Sequence, residues 1–80
     1  MGENKDKLFE IISKIFMINK EKIDDNLSKD SVENWDSMNH LMVISELESN
    51  FNISIDDKEV VNIRNIKDIK NILKNHNIDV

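Results

Sequence analysis

In 80 residues this chain has no proline and a single glycine, at position 2. That near-absence of backbone punctuation limits what it can fold into. A sheet protein of this size needs turn residues about every 8–12 positions, and they are missing. Turns must instead be made by Asn, Asp and Ser, whose short side chains bond back to the main chain and tolerate left-handed geometry. Val and Thr are few, while Ile, Leu, Lys and Glu are plentiful, a balance that favours helix. The expectation is an all-α chain.

The length bounds the rest. A chain this short is read as one domain over residues 1–80, with a core too small to surround a deep catalytic site. There is no cysteine, so disulfides, thiolate metal sites and native thiol chemistry are excluded. The opening Met1-Gly2-Glu3-Asn4-Lys5-Asp6 has neither the apolar run of a secretory signal nor the Ser or Thr of a myristoylation site. A cytoplasmic monomer without stable membrane insertion is expected. The net charge of −5 argues against nucleic acid as a partner. The charge is also uneven. From Asp24 to Glu48 seven acids face Lys29 alone, a local −6 that leaves the remaining residues near +1. Basic partners should approach the middle of the chain, unless that middle is only a solvated acidic face.

Apolar periodicity sets out the elements. Leu8, Ile11, Ile12, Ile15 and Phe16 form one stripe of a helix over residues 3–17. Residues 18–36 lack periodicity, and Ile23, Leu27 and Val32 stand as isolated anchors in a long loop with room for one short helical turn. A loop of that length in so small a domain is often functional. Asp36 and Ser37 suit the start of a second helix over 37–50, and Asn50 and Asn52 flank its end. Asp56 or Asp57 opens a short third helix to about Asn62. Asn65 caps a fourth, with Ile66, Ile69, Ile72 and Leu73 on its inner side. The sum is a small four-helix bundle of three long helices and one short one.

The second helix has two apolar faces. At 100° per residue, Val43, Ile44, Leu47 and Phe51 cluster within about 100°, the core side. Met38, Met42 and Ser45 fall opposite within about 60°, with Leu41 at their edge. A simple surface helix needs only one such face. The second is either covered by the long loop and third helix or free to dock partners, a task that flexible methionines suit. His40 points inward and is read as structural; no Ser-His-Asp set or EF-hand spacing around Asp24, Asp25 and Asp30 is present.

The segment Trp35-Asp36-Ser37-Met38 resembles the Asp-Ser-Leu signature of acyl carrier proteins, with Met in place of Leu. The likeness continues through Asn39-His40-Leu41, Leu47-Glu48 and Phe51-Asn52-Ile53-Ser54-Ile55 to Ile63 and Ile66. Without it, Asp36-Ser37 would be an ordinary helix cap. The resemblance implies a non-enzymatic carrier. Ser37 would bear 4′-phosphopantetheine, transferred from coenzyme A by a phosphopantetheinyl transferase that also reads Asp36, and acyl cargo would ride on the arm as a thioester. A helix start is a sound place for the resulting anion, because free N–H groups and the positive dipole end stabilise it. Met38, Leu41, Met42, Glu46 and Glu48 become the expected docking residues for acyl- or aminoacyl-loading and acyl-transfer enzymes.

The motif also departs from the carriers of primary fatty acid synthesis, which usually read Gly-Ala-Asp-Ser-Leu. Here Asn34-Trp35 precede Asp36, and Asn39, Met42 and Ser49 stand where acids are frequent. The resemblance is therefore to stand-alone carriers of specialised pathways, such as polyketide-like, aminoacyl or surface-glycan-modifying systems. Trp35 is expected to pack the end of the long loop onto the bundle. An aminoacyl or peptidyl carrier and an unmodified helical interaction module are the alternatives.

Overall fold

The computed structural model describes residues 2–80. Four helices follow in order: α1 Glu3–Phe16, α2 Ser37–Phe51, α3 Asp57–Asn62 and α4 Ile66–Asn75. A single 3₁₀ turn, Lys20–Lys22, interrupts the long α1–α2 loop. No helix among the described residues is long and apolar enough to cross a membrane. The bundle expected from the sequence is the one observed.

The core is built from the predicted stripes. α1 contributes buried Leu8, Ile11, Ile12 and Phe16, with Ile15 half-buried. α2 contributes Val43, Ile44 and Leu47, and α4 contributes Ile66, Ile69, Ile72 and Leu73. Each large aliphatic or aromatic side chain taken fully out of water stabilises the fold by about 1.5–3 kcal/mol. α3 differs: none of its residues is fully buried. It is held by its flanks, Ile55 and Ile63, and by the Asp56 N–H, which donates to Glu59 Oε1 at 3.3 Å.

The long loop is not loose. Ile23 and Val32 reach the core. Its middle is laid against the start of α4 by main-chain bonds: Lys29 N–H to Arg64 O at 3.0 Å, Ile66 N–H to Leu27 O at 3.0 Å and Lys67 N–H to Asp25 O at 3.1 Å. A short antiparallel bridge between Ser28 and Asn65 completes the seam. Lys70 Nζ donates to Asp25 Oδ1 at 2.6 Å, and this bond holds the Asp25 carboxyl below the usual carboxylate range. A bond from Lys20 does the same for Glu10. Asn65 caps α4 as expected, accepting the Asp68 N–H at 2.9 Å.

Three helices end in the same device. The left-handed residues are Met17 (φ 57°), Asn52 (φ 55°) and Asn77 (φ 66°). In each case the next N–H reaches five residues back, from Ile18 to Ser13, Ile53 to Glu48 and Ile78 to Leu73. This is the Schellman arrangement, in which the residue after the left-handed one folds back onto the helix. That residue is isoleucine all three times, and all three pack against the core. The device works here without glycine because Asn tolerates left-handed geometry. Met17 does not share that tolerance, and its side chain is 81% exposed, so little packing offsets the strain. Met17→Gly should therefore raise unfolding stability by about 1 kcal/mol, read by urea denaturation. Equal stability would show that Met17 sits in this conformation at no cost.

Candidate functional site

The site is the start of α2. Asp36, in extended conformation, is the N-cap: its Oδ1 accepts the Asn39 N–H at 2.8 Å and its carbonyl accepts the His40 N–H at 2.8 Å. The Asn39 side chain reaches back to Asn34 O at 2.7 Å, tying the cap to the loop that enters it. Asn34 Nδ2 in turn donates to Phe16 O at 3.2 Å, at the end of α1. The entry to α2 is thus fastened to the exit of α1.

Ser37 is the first residue of α2 and is exposed. Among the described residues, no acceptor meets the backbone N–H groups of Ser37 or Met38. A helix start keeps such donors free until a ligand or water takes them. The Ser37 hydroxyl therefore stands in solvent beside unspent donors and the positive dipole end.

Behind it lies a buried polar relay. Trp35 Nε1–H donates to His40 Nδ1 at 2.9 Å. Since the indole N–H only donates, Nδ1 must accept and the imidazole proton lies on Nε2, which donates to Val60 O at 2.9 Å. The Trp35 ring stacks on Phe16 with centroids 4.7 Å apart. One side chain, His40, 8% exposed, therefore joins the loop end, α2 and α3. With both ring nitrogens engaged, His40 has no lone pair left to act as a base on Ser37. No group of three or more His, Cys, Asp or Glu side chains among the described residues is arranged to hold a metal ion.

A shallow groove of about 460 Å³ runs from Ser37, lined by Lys29, Trp35, Asp36, His40 and Leu41. A second, of about 500 Å³, lies between α1 and α2; Ile11, Ile15, Met17, Met42 and Glu46 are among its walls. The expected docking residues fall differently around these. Met38, Leu41 and Met42 are 72%, 60% and 47% exposed, so neither the loop nor α3 covers them. Leu41 borders the Ser37 groove, while Met42 and Glu46 border the other. Glu48 stands apart: its carboxylate accepts the Ile55 N–H at 2.8 Å and steadies the α2–α3 connection. Exposed Val61 on α3 adds an apolar residue that periodicity had not marked.

No protein-family model matches this chain, and no curated protein matches it in sequence. Among solved structures it is similar to the solution NMR structure of the holo acyl carrier protein from Geobacter metallireducens. The two agree with a TM-score of 0.77 at 23% identity, over 88% of this chain and 80% of that one. The chain has the acyl carrier protein fold. Within that fold, the Trp35–His40–Val60 relay is the internal support of the α2 start. His40→Leu should cost about 2–3 kcal/mol, because it leaves a buried indole N–H and the Val60 carbonyl without partners. Urea unfolding followed through Trp35, the chain's one tryptophan, reads the loss; a change below about 0.5 kcal/mol would mean that water satisfies both groups.

Proposed function

We propose that this protein is an acyl carrier: a non-catalytic domain that bears 4′-phosphopantetheine on Ser37 and presents acyl cargo to partner enzymes. The observation that carries the reading is the exposed Ser37 hydroxyl in the first turn of α2, capped by Asp36, in a chain with the acyl carrier protein fold.

The residues present fit such an arm. Ser37 offers an oxygen that an outside enzyme can reach. The unspent N–H groups of Ser37 and Met38 and the helix dipole favour the anion that esterification would leave there. The adjoining groove, with Trp35 and Leu41 on its walls, offers a surface for a tether to lie along. When bound, the arm supplies the thiol that a chain without cysteine lacks, and with it a thioester for cargo. Asp36 does two things in this reading. It holds the helix start in shape through Asn39, and it remains exposed for recognition by the transferase. The transferase brings the base that takes the Ser37 proton, which agrees with His40 being fully engaged elsewhere.

Met38, Leu41 and Met42 then form the contact face for loading and acyl-transfer enzymes, with Glu46 at its border. The face holds two methionines and carries few acids, so shape and apolar contact outweigh long-range steering. The pathway belongs to the fatty-acid-like or specialised biosynthetic class.

Incubation with coenzyme A and a broad-specificity phosphopantetheinyl transferase should add the mass of one phosphopantetheinyl group, and Ser37→Ala should add none. A wild-type mass unchanged by several competent transferases would defeat the carrier reading and leave an unmodified interaction module. Met42→Glu should preserve folding but raise the KM of a cognate partner about tenfold, since a charge placed in an apolar contact costs on the order of 1–3 kcal/mol. Unchanged kinetics would remove Met42 from the contact face.

A further inference from the structure

An arm on Ser37 would add a negative charge to a segment that already carries a local −6, with Lys29 as its one base. The tertiary structure brings that base to the modification site. Lys29 lines the same groove as Ser37. Its main chain is anchored, donating to Arg64 O at 3.0 Å beside the Ser28–Asn65 bridge. Among the described residues its ammonium takes part in no ion pair. Asp36, on the wall of that groove, directs Oδ1 to the Asn39 N–H instead. Lys20 and Lys70 are paired with carboxylates and Lys5 and Lys7 stand over phenylalanine rings; of the lysines without such a partner, Lys29 is the one that lines this groove.

From this geometry we infer that Lys29 is a positioning residue for the arm: its ammonium is the counter-charge for a phosphodiester on Ser37 and biases the tether into the groove bordered by Trp35, His40 and Leu41. The inference rests on the carrier reading and deepens it. The charge balance gives the physical reason. Asp36 and Glu33 lie close in sequence to Ser37 and repel a phosphodiester, while a lysine with an anchored main chain opposes that repulsion at a lower ordering cost than a fully mobile one. An exposed pair of this kind is screened by salt, so its effect must fade as ionic strength rises.

The test compares apo and holo forms of wild type, Lys29→Gln and Lys7→Gln at low and high salt, with modification verified by mass. Lys7 serves as the remote control, because it stands over Phe51, about 21 Å along α2 from Ser37. The expected result is a holo-minus-apo melting difference that is about 2–4 °C less favourable in Lys29→Gln than in wild type at low salt. The gap should close at high salt and be absent in Lys7→Gln. The ³¹P resonance of the holo protein should also move in Lys29→Gln and not in Lys7→Gln. Equal melting differences and equal ³¹P shifts in wild type and Lys29→Gln would overturn the inference and leave the carrier reading standing. Equal losses in both variants would overturn it too, by assigning the effect to net charge rather than place. A protein that takes no arm on Ser37 would bring down both.

Discussion

The hydrogen bond from Trp35 to His40 organises the functional end of the molecule. A buried indole N–H needs an acceptor, and the imidazole Nδ1 supplies one while its Nε2–H donates a hydrogen bond to the Val60 carbonyl. Through this chain of two bonds the loop end, α2 and α3 share one support. The stacking of Trp35 on Phe16 extends it to α1. α3 depends on it most, since it buries no residue of its own fully and must borrow stability from contacts at its edges. A short helix that buries none of its own residues fully and is held from its flanks is the kind of element that opens at low free-energy cost.

That support leaves the other side of the helix start free. The cap on Asn39, the Asn39–Asn34 bond and the Asn34–Phe16 bond use side chains to satisfy the ends of two helices at once. What they do not use is the pair of leading N–H groups and the Ser37 hydroxyl. The division is physical: groups that could stabilise an anion stay in solvent, while the only histidine near them is buried and spent. The carrier reading proposed above draws on this division: an exposed hydroxyl beside unspent N–H donors, with His40 engaged on both ring nitrogens.

Much of this was legible in the residues taken in order. Stripes at helical spacing marked the inner faces of α1, α2 and α4, and Asn65 and Asp36 were recognisable as caps because capping is decided within three residues. Asn52 was recognisable as a stop for the same reason. Met17 was not, since nothing about methionine favours left-handed geometry; the folding back of Ile18 onto the core decides it. Glu48 was expected among the docking residues once the resemblance was drawn, but its bond to Ile55 depends on how the next loop returns. The long loop was visible only as an absence of pattern, because its order comes from main-chain bonds to α4, about 40 residues further along the chain.

The amino-acid order alone thus determined the helical class, the core faces and the position of Ser37 at a helix start, since each depends on spacings of a few residues and on local backbone preference. Tertiary structure decided the rest: that Met38, Leu41 and Met42 are uncovered, that His40 is committed to Trp35 and Val60, and that Lys29 shares a groove with Ser37. Exposure and hydrogen-bond partnership are properties of distant segments brought together. No local spacing encodes them, because the free energy that selects them comes from burying the whole core at once.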